Sequence, residues 1–535
     1  MRRAFMGLTM AALFTAMSLA QPSAAEPNSD QPKHGGILRI YHRDSPASAS
    51  ILEEATVSTN APFMGVFNNL VLFDQHVAQN SFDSIRPELA TSWALSDDQT
   101  KLTFKLRSGV KWHDGKPFTA KDVKCTFDML MDRSSQKLRK NPRQSWYANV
   151  KEVSVNGDDE VSFQLGRPQP SLIALLASGY APIYPCHVSP RDMRVAPIGT
   201  GPFRFVEFKA NESIKVTRNP DYWKPGLPHL DGVEYTIIPN RSTAILSFVA
   251  GKFDLTFPYE VSIPLLKDVK NQMPEAICEI TTTNVAPNIL MNQAPPFDNV
   301  EMRRAVIMAI DRKAFIDILT EGQATMGGAM MPPPEGRWGL PEEVLRTLPG
   351  FDPDIAKSRE AARAIMRAHG YGPDNHLKIK LSARNLAVYR DPSVILLGQL
   401  KEIWIDGELE LIETANWVPK LIRRDYQMGL SLVGNGVDDP DQQFYESYVC
   451  GSRTYMGYCN KEIDALVDRQ SAEADQEKRR QIVWEIDRRL QQDAVRPILY
   501  YIKAATCRRP EVKGLTLMLN STFNGWRMED VWLDR

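Results

Sequence analysis

The chain has 535 residues and a formal net charge of −1, with 64 Lys and Arg against 65 Asp and Glu. That balance leaves no electrostatic footprint for nucleic acid or for an anionic membrane surface. At 43% hydrophobic residues there is ample material for buried cores, and the length calls for two or three domains rather than one.

The first 25 residues read as a targeting segment. Arg2 and Arg3 open it, residues 4–20 are apolar apart from Thr and Ser, and Ser23, Ala24 and Ala25 supply the small residues of a cleavage site. The mature chain is therefore expected to begin at Glu26, with residues 26–34 as a linker. Arg2-Arg3 also loosely matches a twin-arginine signal, the less favoured route. The first cysteine is Cys125, so the new N-terminus carries none for a lipid anchor, and the product is expected free in an enclosed periplasm. No later segment approaches the roughly 18 consecutive apolar residues that span a bilayer; residues 172–177 come nearest.

In chain order, residues 36–41 are strand-like. Residues 101–107 alternate, with Leu102, Phe104 and Leu106 on one face, the pattern of a half-buried strand. Asp114-Gly115 is a turn, and Thr119 followed by Asp122 reads as a capping box opening a helix through Val123, Phe127 and Leu130. Alternation returns at residues 153–165 around an Asn156-Gly157 hairpin turn. Residues 199–255 are strand-rich and end in a short helix at 244–250. A second regime begins near Pro287. There Asp298 and Glu301 cap one helix whose apolar face runs Val306, Ile307, Ile310, Ala314, Ile318. Residues 330–339 form a proline-rich loop. Helices are predicted at 356–369, 393–403, 461–470 and 476–492, and a strand at 378–382. The sum is two mixed α/β lobes, with strands in the last 30 residues available to return to the first.

Six cysteines in an oxidising compartment invite disulfides. Cys450 and Cys459 flank a loop that a bridge would close locally. Cys125, Cys186, Cys278 and Cys507 read at least as well as small buried hydrophobes. Cys278 and Cys507 meet only if two segments crossing between the lobes lie side by side.

Catalytic signals are sparse. Residues 109–116 end in Gly-Lys, but five residues separate the glycines and Pro117 stands where a phosphate loop needs Ser or Thr. There is no Gly-x-Ser-x-Gly, no His-Glu-x-x-His and no calcium loop. His113-Asp114 reads as a solvated turn tip. No catalytic residue, metal ligand or cofactor is assigned. Catalytic triads are assembled in space, so a secreted peptide hydrolase stands as an alternative. The acidic cluster Asp438, Asp439 and Asp441 follows Gly434 and Gly436. It reads equally as a solvated turn, a helix cap, or a carboxylate facing a cationic ligand group.

Residues 87–93 (Pro-Glu-Leu-Ala-Thr-Ser-Trp), Ser96-Asp97-Asp98 and the long run from Leu102 to Val123, with Gly109-Val110-Lys111-Trp112-His113-Asp114-Gly115-Lys116-Pro117-Phe118 at its centre, form one block. It resembles the signature of the extracytoplasmic oligopeptide/dipeptide-binding family (family 5) of ABC importers. Gly199-Thr200-Gly201-Pro202-Phe203, Asn219-Pro220-Asp221-Tyr222-Trp223 and Pro296-Phe297-Asp298-Asn299-Val300 match further blocks in the same order. The loop between Cys450 and Cys459, followed by Asn460, is similar to members with a local bridge.

The resemblance implies an α/β two-lobe periplasmic-binding-protein fold, with an extra subdomain in the first lobe and a hinge of two crossing segments. Residues 35–75, 197–284 and 505–535 would form the first lobe, 76–196 its extra subdomain and 285–504 the second lobe, hinged near 282–287 and 501–507. It implies a non-enzymatic, monomeric periplasmic component. Such a protein captures a small peptide or peptide-like solute by lobe closure and delivers it to the permease subunits of an importer in the inner membrane. An opine or sugar conjugate, a nickel chelate, haem or an oligosaccharide is the alternative cargo. For the site it points to the loop carrying Asn435, Gly436, Asp438 and Asp439. Gly436 stands where dipeptide binders carry the aspartate that meets the α-ammonium, and Ser431 and Leu432 replace a preceding aromatic residue. Either Asp438 compensates, or the ligand is not an ordinary free peptide. Arg384 lies where dipeptide binders hold an arginine for the ligand carboxylate, a role its planar fork suits; an ordinary surface arginine is the plainer reading.

Overall fold

The computed structural model describes residues 31–451, 455–519 and 521–535. The expected targeting segment and residues 26–30 lie outside them.

The first lobe is built on a four-stranded sheet. Strand Ile37–His42 pairs in parallel with Gly232–Ile237, which continues antiparallel to Ser213–Arg218 and Phe203–Lys209. Its extra subdomain carries an antiparallel sheet in the order Ala90–Leu95, Lys101–Leu106, Glu160–Leu165, Val150–Asn156. The alternation in the second of these strands is realised: Leu102, Phe104 and Leu106 are buried while Lys101 and Lys105 face solvent. Helix Ala120–Leu130 packs over this sheet, with Phe127 edge-on to Phe163 at 4.7 Å. It opens with the predicted capping box, the Asp122 carboxylate accepting from Thr119 N at 3.0 Å. Cys125 is not a free buried thiol: it bonds to Cys186 and ties this helix to the chain 61 residues on.

The second lobe holds a mixed sheet in the order Val285–Met291, Met428–Gly434, Leu377–Arg384, Ile405–Ile412. The single helix predicted through Val306 and Ile318 is two, Val300–Ala309 and Arg312–Thr320. Ile310 is extended, and Asp311 caps the second helix by accepting from Ala314 N at 3.0 Å. A short acceptor side chain competing for the backbone ended the first helix, although the apolar periodicity runs on. Asn299, not Asp298, caps that first helix. Helix Gln476–Gln492 has the predicted limits and is capped by Asp475. Among the described residues no helix is long and apolar enough to cross a membrane.

Two crossing segments join the lobes. Strands Ile277–Thr282 and Lys503–Arg508 form an antiparallel ladder in which Cys278 faces Cys507, and the two are bonded. Leu255 bridges both Ile40 and Arg508, stitching the ladder to the first-lobe sheet, and Val285 begins the second-lobe sheet three residues after Thr282. Beyond strand Lys503–Arg508, the described residues of the C-terminal return add two short strands, Val512–Lys513 and Trp532–Leu533, paired with each other.

Candidate ligand-binding cleft between the lobes

Where the lobes meet, a cavity of about 120 Å³ is lined by both. Arg43, Val57, Tyr180, Tyr259 and Phe523 come from the first lobe, and Arg384, Tyr389, Trp417, Leu432, Glu446 and Arg496 from the second. Ala55, Val418 and Tyr455 also line a wider cavity of about 870 Å³, set between Arg133, Arg139 and Tyr147 of the extra subdomain and Ile422, Arg424 and Tyr445 of the second lobe. A compact polar and aromatic chamber thus adjoins a roomy antechamber.

Arg384 ends strand Leu377–Arg384 and is 1% exposed. Its Nη2 donates to Oδ2 of Asp44, just beyond the first-lobe strand Ile37–His42, and to Ser58 Oγ at 3.0 Å; its Nε donates to Thr414 Oγ1 at 2.8 Å. Burial would raise the Asp44 carboxyl, but the guanidiniums of Arg384 and Arg43 outweigh it and hold the group down at about 2. Asp44 was not singled out by sequence reasoning. An acid after a strand end has no local pattern, and its partner lies 340 residues away. Arg43 donates to Glu260 at 3.2 Å and lies 5.3 Å from the Phe257 ring, while its buried Nε stands 3.9 Å from Asp44 Oδ1.

The loop after strand Met428–Gly434 presses against the first lobe. A β-carbon on Gly434 would come within 2.5 Å of the Phe523 ring, and one on Gly436 within 3.1 Å of Ser178 Oγ. The Gly436 carbonyl accepts from Asn524 Nδ2, and Asn435 N donates to Asn284 O at 2.9 Å. Asn435 and Gly436 therefore sit at the junction of the second lobe with the C-terminal return and do not line the inner chamber.

The acidic cluster is not a solvated rim. Asp439 caps helix Pro440–Ser447 and receives both Nη atoms of Arg479 at 2.8 and 2.7 Å. Asp441 is fully buried. It accepts from Gln470 at 2.6 Å and Ser471 at 2.7 Å within its own lobe, and from Gln169 at 3.1 Å and Ser171 across the gap. Arg479 shares the buried face of its helix with Ile482, Val483 and Ile486. That arginine on an apolar stripe was the available signal for a buried acidic partner. Asp438 turns elsewhere, into a separate cavity of about 30 Å³ that Asn80 and Trp338 also line. Its carboxylate is buried, and burial, then Asp439, push the group up to about 7 against the lowering effect of Arg337.

His113 is not a solvated tip either. Its ring meets Gly201 O at 3.0 Å and Gly199 N at 3.3 Å, and burial lowers it to about 4; Asp114 pairs with His187 at 2.7 Å. The Cys450–Cys459 bridge forms as predicted, with Cys450 in the antechamber wall.

Residues 84–455 match the family described as bacterial extracellular solute-binding proteins, family 5. The chain belongs to that family. A probable di/tripeptide-binding protein of Pseudomonas aeruginosa is 25% identical over 95% of this chain and 97% of its own. A heme-binding protein of Haemophilus influenzae is 28% identical over 79% of this chain and 78% of its own. The fold is also that of the periplasmic binding protein DppA from Helicobacter pylori, solved with a peptide, at a TM-score of 0.81 and 22% identity over 94% of this chain and 99% of that one. The family is extracytoplasmic and binds solutes, and its two-lobe fold is the one described above.

Proposed function

We propose that this protein is the periplasmic capture component of an ABC importer. It closes its two lobes over a small peptide or peptide-like solute and hands it, chemically unchanged, to the membrane permease. The observation that carries this reading is the inner chamber itself, walled by both lobes and lined by Arg384, whose ion pair with Asp44 of the first lobe exists only when the lobes meet. The di/tripeptide-binding relative favours a peptide-like cargo, and the targeting segment favours the periplasm. Residues 35–75, 197–284 and 505–535 act as one body, carrying the subdomain 76–196, and 285–504 as the other.

Closure follows from contacts made by both faces, because a solute shifts the open–closed equilibrium only by its difference in affinity between the two forms. Arg384 is the residue proposed for the solute's carboxylate, which would share or displace Asp44. Asn435 and Gly436 shape the lobe junction, and Asp438 and Asp439 with Arg479 support the loop behind the chamber. Mass spectrometry of the solute retained on native purification, followed by calorimetry, tests this. Arg384→Ala is expected to weaken that solute by about 1.5–3 kcal/mol, the worth of a charged hydrogen bond. Unchanged affinity would remove Arg384 from the site.

A further inference from the structure

We propose that Tyr259 is a specificity-determining contact in the inner chamber, its ring held there by a strained turn to receive an aromatic group of the solute. The proposal rests on the chamber being the solute site and concerns which side-chain chemistry that site prefers. Residues 257–260 form a tight turn closed by Glu260 N, which donates to Phe257 O at 3.3 Å. Pro258 occupies its second position and Tyr259 its third, with φ at +64°. That is the type II pattern, which calls for glycine or asparagine at the third position because other side chains crowd the backbone there. A bulky aromatic residue is an outlier in that region, and such strain persists only where the surroundings fix it.

The surroundings do fix it. Before the turn, Thr256 N donates to Cys507 O and Thr256 Oγ1 accepts from Cys507 N, both at 2.9 Å; after it, Val261 O accepts from Ala505 N at 2.8 Å. Both anchors lie on strand Lys503–Arg508, one of the two segments joining the lobes. Within the turn, Glu260 is tied to Arg43 at 3.2 Å and to Arg241 at 3.4 Å. Tyr259 is buried and lines the chamber, whose walls are aromatic on both sides. Tyr180 and Phe523 pack at 5.7 Å in the first lobe, and Tyr389 and Trp417 at 6.3 Å in the second. Glycine at position 259 would relieve the turn but leave a gap in this lining. An aromatic group entering the chamber meets rings from both lobes, and ring pairs gain more than their buried area alone supplies.

The test is calorimetry on the mature chain with two probes, Ala-Phe and Ala-Ala. Ala-Phe is expected to bind the wild type at least about tenfold more tightly than Ala-Ala. Tyr259→Gly and Tyr259→Asn suit the turn and remove the ring, and each should cut that ratio to about threefold or less. Tyr259→Phe should keep it. The ratio is read within each variant, so a change in stability does not imitate the effect, and asparagine serves if the glycine variant does not fold. An undiminished ratio in a folded ring-less variant, no preference for Ala-Phe in the wild type, or no binding of either dipeptide would overturn the proposal. Arg384→Ala separates this outcome from the chamber itself. If it weakens both probes about tenfold while the Tyr259 variants keep the ratio, the chamber stands and Tyr259 falls. If it too changes nothing, the chamber is not the solute site and the proposal falls with it.

Discussion

Arg384 of the second lobe and Asp44 of the first are hydrogen-bonded across the cleft, and Thr414 Oγ1 donates to the same carboxylate oxygen at 2.5 Å. Both charges are buried where the lobes meet and would be solvated where they part, so this pair acts on closure more than on folding. Removing one partner strands the other in the closed form, at a cost of about 3–5 kcal/mol in buried settings. Asp44→Ala is therefore expected to shift the unliganded protein toward the open form, with only a small change in melting temperature. Scattering in the absence of solute checks it; an unchanged profile would show that the pair does not favour closure.

The same pair sets an acid limit. The Asp44 carboxyl in the closed form titrates at about 2, below the ordinary carboxylate value, so its contribution is present above about pH 4 and is lost as pH falls toward 2. Closure measured by scattering should weaken across that window in the wild type, and Asp44→Asn should lack this component.

Asp438 works with the opposite sign. Its carboxyl is raised to about 7 and that of Asp487, buried beneath Ala329 N, to about 6, chiefly by burial. A folded-state value above the unfolded one gives stability that is full below about pH 4 and is lost as pH rises through the folded value. Stability is thus expected to decline from pH 4 to about 7, and Asp438→Asn to flatten the upper part of that decline. Urea denaturation at stepped pH reads this directly.

Disulfide bonds link all six cysteines, and two of them staple places where long chain segments return. Cys278 and Cys507, 229 residues apart in sequence, close the longest loop. Thiol titration of the unfolded, unreduced protein should find no free thiol. The Cys278→Ala, Cys507→Ala double variant should lose about 2–5 kcal/mol of stability, and the Cys450→Ala, Cys459→Ala variant less.

Gly434 is tested by bulk. A β-carbon there would stand 2.5 Å from the Phe523 ring, so Gly434→Val must move the ring or the loop. A cost of about 1–3 kcal/mol is expected, together with weaker solute binding, because Phe523 also lines the chamber. Phe523→Ala combined with Gly434→Val should recover part of the stability.

Local chemistry was legible in the sequence and long-range pairing was not. The capping box of Thr119 and Asp122, the helix Gln476–Gln492 and the Cys450–Cys459 bridge depend on residues close in the chain, and each could be read there. The break at Asp311 was missed because apolar periodicity continued across it, while the deciding feature was one side-chain acceptor. Arg384 was placed by resemblance, but Asp44 could not be, since nothing near it in sequence records the strand it faces. The acidic cluster read equally as a solvated turn, a helix cap or a carboxylate for a ligand; Asp439 does cap a helix, and Arg479, supplied by a helix 40 residues on, makes the cluster a buried ion-pair network.

The central claim is that two bodies shut around a solute and release it intact. Small-angle scattering of the mature protein, stripped of solute and then saturated with the solute retained on native purification, tests it most directly. The account predicts a smaller radius of gyration and a shorter maximum dimension at saturation; superimposable profiles, with calorimetry confirming full occupancy, would contradict it.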